Sequence, residues 1–322
     1  METERRIREF ELIAELFAPL ATSKAALGLK DDVALLRGRA ADDLVLTTDT
    51  IVEGIDFFAR DPADTVAKKA LRVNLSDLAA KGATPVGYLL TLVLPKRTDL
   101  RWLRSFTKGL RADQRKYGIA LLGGDVSATR GPLSVSITAL GSVPKGKAIL
   151  RSGARPGDLV FVTGTIGDSG GGLAALKLKK REASLIRRYR VPEPRVAFGR
   201  ELRGIASAAI DVSDGLLADL GHLADVSNVH IVVEATRIPT STALRSLWGT
   251  GEAALARAAT AGDDYEIAFT ASPKKRARIL AAATRSRTHV TEIGVVKNGR
   301  GATLIGSNGR PLRVKKQGWQ HF

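Results

Sequence analysis

The run Asn74-Leu75-Ser76-Asp77-Leu78-Ala79-Ala80-Lys81-Gly82-Ala83 sets one carboxylate inside an otherwise apolar, helix-forming stretch. Upstream, Asp61-Pro62 reads as a helix start, with Asp as N-cap and Pro in the first turn, and Gly82 reads as a stop. The spacing therefore predicts a helix from about Pro62 to Lys81. With roughly 3.6 residues per turn, Leu71, Leu75, Leu78 and Gly82 share one side, and Ala70, Asn74, Asp77 and Lys81 share another. Asp77 then lies either on a solvated polar stripe, as on any amphipathic helix, or at a site whose other parts come from elsewhere in the chain.

Working outward, the pattern is mixed α/β in two parts. On the N-terminal side a helix is expected from Glu9 to Leu20 and a β-branched strand from Leu44 to Val52. Beyond the Asp77 helix, strands are expected at Val86–Leu94, Ile119–Leu122 and Leu133–Val143, with a helix from Asp99 to about Tyr117. Ser152-Gly153-Ala154-Arg155-Pro156-Gly157-Asp158 breaks the pattern, which gives domains at 1–150 and 151–322. The second part opens with a strand at Leu159–Thr163, a glycine-rich turn from Gly164 to Gly172 and a helix to about Lys180. Strands follow at Ala209–Val212, Val229–Glu234 and Tyr265–Thr270, with a helix through Val226 and another from Lys274 to Thr284.

Composition narrows the chemistry. The 322 residues contain no cysteine, so disulfides, thiolate metal sites and a cysteine nucleophile are excluded, and four histidines leave oxygen as the main metal donor. No apolar run approaches the ~20 residues that span a bilayer, so no membrane association is expected and the location reads as cytoplasmic. The net charge is +17, and twelve Lys/Arg face a single acid, Glu292, between Pro273 and Lys316. Aromatic content is only 5%, without arginine-aromatic interleaving, so the charge reads as solvation and steering of anionic substrates, and no nucleic-acid partner is expected.

Ordinary kinase signatures are missing: there is no G-x-x-x-x-G-K-[ST], H-R-D or D-F-G, and the Gly164 run does not fit G-x-G-x-x-G. Aspartates recur instead at strand ends or just beyond: Asp31-Asp32, Thr47-Thr48-Asp49, Gly123-Gly124-Asp125, Asp211-Val212-Ser213-Asp214-Gly215 and Gly262-Asp263-Asp264-Tyr265. Each has an ordinary reading as a turn, and Ser213 or Asp214 as a helix cap. Taken together they suit several Mg²⁺ ions, hard cations that bind carboxylate and hydroxyl oxygens and neutralise nucleotide phosphates. Packed together without cations, Asp32, Asp49, Asp77, Asp125, Asp211 and Asp214 would repel one another.

These motifs also carry a resemblance. Asp31-Asp32-Val33-Ala34, Thr47–Gly54, Asn74–Ala80, Gly123-Gly124-Asp125, Arg151-Ser152-Gly153, Asp211–Gly215, Gly262–Glu266 and the ending Gly318-Trp319-Gln320-His321-Phe322, in that order, resemble thiamine-monophosphate kinase. That family shares a superfamily with aminoimidazole ribonucleotide synthetase and selenophosphate synthetase. The resemblance implies direct transfer of the γ-phosphoryl of ATP to thiamine monophosphate, with no catalytic side chain forming a phosphoenzyme. It implies Asp32, Thr47, Thr48, Asp49, Asp77, Asp125, Asp211 and Asp214 as ligands of several Mg²⁺ ions. Gly124, Asp125, Arg151 and Ser213 would meet ATP, and Asp56, Asp263 and Trp319 would meet the acceptor. The implied fold is two-domain α/β (α+β): a mixed-sheet N-terminal domain that pairs in a homodimer, a C-terminal α/β domain, and an ATP cleft between them. Three positions depart from the family: Lys30 replaces a Gly, Asp56 a His, and Asp263 a Glu.

Two other readings stay open. One is a different ATP-using enzyme of the same superfamily, although the reactive Cys expected of selenophosphate synthetase chemistry is missing. The other is a non-catalytic anion- or nucleic-acid-binding protein, whose affinity would fall steeply with salt.

Overall fold

The computed structural model describes residues 12–29, 38, 40–314 and 316–319. Asp31, Asp32 and Lys30 lie outside them, as do residues 9–11 of the expected first helix. What is described of that helix is a π turn, Ile13–Phe17, running into a 3₁₀ turn, Ala18–Leu20. The chain forms two compact units. One comprises the described residues through Asn74 together with Pro85–Ser142; the other comprises Leu75–Thr84 and the chain from Val143 onward.

The first unit holds a four-stranded sheet in the order β1-β4-β2-β3: β1 (Asp42–Val52), β2 (Thr84–Pro95), β3 (Ala120–Thr129) and β4 (Ser134–Pro144). Helix α1 (Ala63–Ala80) crosses from one unit to the other in sequence, and α2 (Leu100–Tyr117) belongs wholly to the first. Asp99 caps α2 by accepting from the Trp102 N–H at 2.7 Å, and Gly118 ends it in the left-handed region. Asp61 has a different use from the expected cap: its carboxylate accepts from the Phe58 N–H at 3.0 Å, and α1 begins at Ala63. Between α1 and α2, Arg72 and Asp113 form a buried two-bonded ion pair at 2.7 and 2.8 Å.

Strand β3 is longer than Ile119–Leu122 because Gly123 and Gly124 lie inside it. Leu122 is an extra residue in the register with β2, where Tyr88 faces Leu121 and Leu89 faces Gly123. A Cβ at Gly124 would come within 1.9 Å of the Leu90 carbonyl oxygen, so only glycine permits this pairing. Glycines that read as punctuation in sequence are here what lets two backbones close.

The second unit holds a six-stranded sheet in the order β10-β7-β9-β5-β8-β6: β5 (Leu159–Thr163), β6 (Ala208–Asp211), β7 (His230–Glu234), β8 (Ile267–Ala271), β9 (Val290–Lys297) and β10 (Gly301–Ile305). Period-2 alternation sends Val160, Val162, Ile210 and Ala268 into a core with Leu216, Leu220 and Leu223 of helix α6 (Leu216–Ser227). The alternate residues Phe161 and Phe269 stack at 5.2 Å, and Phe198 of α5 (Val196–Glu201) packs against Phe269. The remaining helices of this unit are α3 (Asp168–Lys177), α4 (Ala183–Arg190), α7 (Thr242–Trp248), α8 (Glu252–Ala259) and α9 (Arg276–Ser286). Tyr265 does not start β8 as expected: at φ 52° it lies in the left-handed region, and the strand begins at Ile267.

Candidate functional site

In the second unit two backbone hydrogen bonds and one from a lysine side chain bring separate motifs together. Ile149 N–H donates to the Lys81 carbonyl (3.1 Å) and Ala209 N–H to the Leu150 carbonyl (2.9 Å), so the chain leading to Arg151 runs beside both Lys81 and β6. Lys81 Nζ donates in turn to the Ala209 carbonyl at 3.1 Å. Burial and the Arg151 guanidinium lower the Lys81 ammonium to about 8, while Asp211 and Asp77 act in the opposite direction. Asp77, Lys81, Arg151 and the buried Asp211 thus form one electrostatic neighbourhood, and the solvated-stripe reading of α1 fails: Asn74 and Ser76 are fully buried beside a half-buried Asp77.

From Asp211 the chain turns through Ser213-Asp214-Gly215 into α6. Neither Ser213 nor Asp214 caps that helix; the cap position is Gly215. Asp219, in the first turn, supplies the acceptor instead. Its Oδ2 takes the N–H groups of Ser213 (3.0 Å), Asp214 (3.1 Å) and Gly215 (3.1 Å). Burial and the neighbouring Asp214 carboxylate nevertheless push the Asp219 carboxyl up to about 7. A cavity of about 260 Å³ opens here, lined by Arg151, Ser213, Asp214, Asp219, His222, Asp225 and Val226. Three residues expected at the nucleotide or its metal, Arg151, Ser213 and Asp214, therefore line one cavity.

The Gly262–Glu266 segment lies along the same turn. Asp263 N–H donates to the Ser213 carbonyl (2.7 Å), Tyr265 N–H to Val212 (2.7 Å), and Val212 N–H to Glu266 (2.8 Å). Asp263 and Tyr265 are both left-handed, at φ 69° and 52°, conformations that persist only when neighbours fix them. The neighbours are specific. The fully buried Asp264 carboxylate accepts from Gly167 N–H (2.6 Å) and Ser169 N–H (3.2 Å) at the start of α3. Arg188 Nη2 donates to the Asp264 carbonyl (3.1 Å) and to Glu266 Oε1 (2.8 Å). Arg195 donates twice to the fully buried Glu266, each at 2.6 Å, and Thr163 donates a fourth bond at 2.6 Å. A Cβ at Gly164 would strike that carboxylate, which accounts for glycine at the end of β5. Trp319 joins the group through its N–H, which donates to the Asp214 carbonyl at 2.8 Å; its indole is 58% exposed and is not a buried plug.

In the first unit the expected donors are on strands. Asp49 lies within β1 and Asp125 within β3, inside the strands and not at their ends. Alternation puts Thr47 and Asp49 on one face and Thr48 on the other, where its hydroxyl donates to the Ile137 carbonyl (3.2 Å) and accepts from Thr138 (3.2 Å). Strands β1 and β3 are opposite edges of the sheet, so Asp49 and Asp125 are separated by two intervening strands. Gly124 and Asp125 are exposed, with Asp125 opposite Thr91. Asp56 accepts from the Val52 N–H at 2.8 Å, and the buried Lys69 ammonium donates to the Asp56 carbonyl at 2.8 Å, which places a lysine beside this departure from the family pattern.

Among the described residues no group of three or more Asp, Glu or His is placed to hold a metal ion. The donor chemistry is still that of a hard divalent cation, because Asp214 faces Asp219 with like charge and the remaining expected donors are carboxylate or hydroxyl oxygens. Among the described residues no helix is long and apolar enough to cross a membrane.

Comparison with known proteins defines the class first: residues 30–143 match the AIR synthase related protein N-terminal domain, and residues 155–307 the corresponding C-terminal domain. A thiamine-monophosphate kinase of Caulobacter vibrioides is 43% identical, over 97% of this chain and 90% of the relative. The crystal structure of thiamine-monophosphate kinase from Stenotrophomonas maltophilia superposes with a TM-score of 0.83 at 41% identity, covering 92% of this chain and 94% of that one. AaThiL complexed with AMPPCP and TMP superposes with a TM-score of 0.79 at 32% identity, covering 98% and 97%. The chain belongs to the thiamine-monophosphate kinase family.

Proposed function

We propose that this enzyme moves the γ-phosphoryl of ATP onto the phosphate of thiamine monophosphate, giving thiamine diphosphate and ADP by direct in-line attack. The observation that carries the reading is the cavity in which Arg151, Ser213 and Asp214 stand together, beside Asp263 and Trp319. The thiamine-monophosphate kinases among its relatives and the AMPPCP- and TMP-bound structure support it.

The chain's own work is positioning and charge complementarity. The Arg151 guanidinium offers a fork to phosphate oxygens, and the Lys81 ammonium adds a second cation beside it. Gly124 gives close backbone approach at ATP beside Asp125, and the Ser213 turn is held ready by Asp219. Asp263 and Trp319 meet the acceptor, with Asp56 held by its turn and Lys69. No side chain needs to act as a base, because the attacking phosphate oxygen is already anionic near neutral pH. Asp32, Thr47, Thr48, Asp49, Asp77, Asp125, Asp211 and Asp214 would hold Mg²⁺. Bound there, the ions would neutralise charge on the phosphates of both substrates.

In this reading residues 1–150 serve nucleotide and metal binding and dimerisation, and 151–322 complete the site. Leu44, Leu46 and Leu89 stay exposed on strands whose alternate residues are more buried, which supports a homodimer that covers them. A cytoplasmic location goes with ATP as co-substrate. The test is product formation: purified protein with Mg²⁺, ATP and thiamine monophosphate yields thiamine diphosphate, EDTA stops it, and added Mg²⁺ or Mn²⁺ restores it. Full activity in metal-free buffer would remove the reading.

A further inference from the structure

A second opening in the C-terminal unit has a different chemistry. It is an open basin of about 700 Å³, within the size range of small-ligand sites, and it shares no lining residue with the Arg151 cavity. The antiparallel pairings of β5 and β7 with β9 make β5 and β7 run in the same sense. Gly164-Thr165 follow β5, Thr236–Thr240 follow β7, and His289 immediately precedes β9, so the basin lies at one end of three adjacent strands. Its walls are tied by main-chain bonds: Gly164 N–H donates to the His289 carbonyl (2.9 Å) and Ile166 N–H to the Pro239 carbonyl (2.8 Å).

The lining is Arg237, Arg245, His289, four threonines, Ile238, Pro239, Leu255 and Gly164, without a carboxylate. Arg237 is offset by Glu234 (2.9 Å) and Glu292 (3.4 Å). Arg245 is anchored by neutral groups only. Its guanidinium donates to the Thr240 carbonyl and, at 3.0 Å, to Thr242 Oγ1, which fixes the fork and leaves it further N–H donors. The basin therefore combines an anchored, uncompensated arginine with threonine hydroxyls and the aliphatic side chains of Ile238, Pro239 and Leu255.

We infer that this basin is a binding site, separate from the Arg151 cavity, for a small organic anion of the phosphate-monoester class whose apolar ring lies against those aliphatic side chains. The phosphate meets Arg245, with His289 and the threonine hydroxyls around it. The inference does not depend on the proposed kinase reaction, because it concerns binding alone.

Phenyl phosphate is the minimal probe, titrated calorimetrically into the full-length protein and into Arg245→Glu, Arg245→Lys and Arg151→Ala. The expected result is one binding event that Arg245→Glu weakens roughly tenfold or more, the scale of one charge-assisted contact. Arg245→Lys should fall between, and Arg151→Ala should leave that event in place. If Arg245→Glu melts early, Thr250→Glu, on the same rim without the Arg245 contacts, replaces it and should weaken binding likewise. Loss in Arg151→Ala with retention in Arg245→Glu would assign the probe to the other cavity and overturn the inference. Equal weakening by both, or no binding to wild type at millimolar probe, would overturn it as well.

Discussion

The turn at Ser213–Gly215 and the strand that carries Asp125 are built in opposite ways. Around the turn, three N–H groups converge on Asp219, and three main-chain bonds tie Val212 and Ser213 to the Asp263–Glu266 segment. Gly124 and Asp125 instead sit exposed on an edge strand held by ladder bonds to β2. The first arrangement has its orientation settled before any ligand arrives. The second offers donors at a surface and leaves their final arrangement to what binds. The left-handed Asp263 and Tyr265 belong to the first arrangement, where the bonds around them over-determine the backbone.

The largest effect that bears on this contrast is expected at Asp77, whose face of α1 is buried and charged. Asp77→Asn is nearly isosteric and should melt like wild type, yet kcat should fall by roughly a hundredfold or more, the scale of losing one charge-stabilising group. Normal turnover would return Asp77 to an ordinary polar position.

Next is the stability of the prebuilt side. Glu266→Ala leaves Arg188 and Arg195 without their shared carboxylate and should cost about 3–5 kcal/mol in urea unfolding. Glu53→Ala, which releases the 62%-exposed Arg97, should cost ~1 kcal/mol or less. Similar midpoints for the two variants would erase the difference between the regions.

Trp319 tests the acceptor end. With its N–H on Asp214 and its indole exposed, Trp319→Ala should raise the KM for thiamine monophosphate roughly tenfold, through loss of an aromatic face for the cationic thiazolium, while the KM for ATP changes little. Asp56→His should keep turnover. Equal losses for both substrates, with a lower Tm, would make Trp319 only an anchor of the tail.

The smallest effect is a slope. Burial raises the Asp264 carboxyl to about 8, against the pull of the Gly167 and Ser169 N–H groups and of Arg188. The folded state then holds this proton more tightly than the unfolded chain, so the group's contribution is full below about pH 4 and is lost as pH rises through about 8. Stability from this group should decline between about pH 4 and 8, and Asp264→Asn should flatten the profile. An unchanged slope in the variant would place the titration elsewhere.

Local signals were legible in sequence. The helix from Asp99 to about Tyr117 and the strand Leu159–Thr163 rest on neighbours a few residues away. The length of β3 was not, because Gly123 and Gly124 read as breakers until Leu90 is seen against them. Nor was Asp219, whose partners are backbone N–H groups, although an acid in the first turn after Asp214-Gly215 is the signal that points to it. Arg188 and Arg195 lie 78 and 71 residues before Glu266 in the chain, so no local pattern joins them to it. Lys81 reads as a surface lysine until the Ile149 and Ala209 bonds place it beside Arg151 and Asp211. The motifs named the family, while the supports that orient them come from tertiary pairing.

The most direct test is a single turnover with γ-³²P-labelled ATP, Mg²⁺ and thiamine monophosphate, quenched in acid at successive times. Direct transfer predicts that label passes from ATP into thiamine diphosphate with none on the protein at any time. Label that first appears on protein, or that is released only as inorganic phosphate, would contradict it.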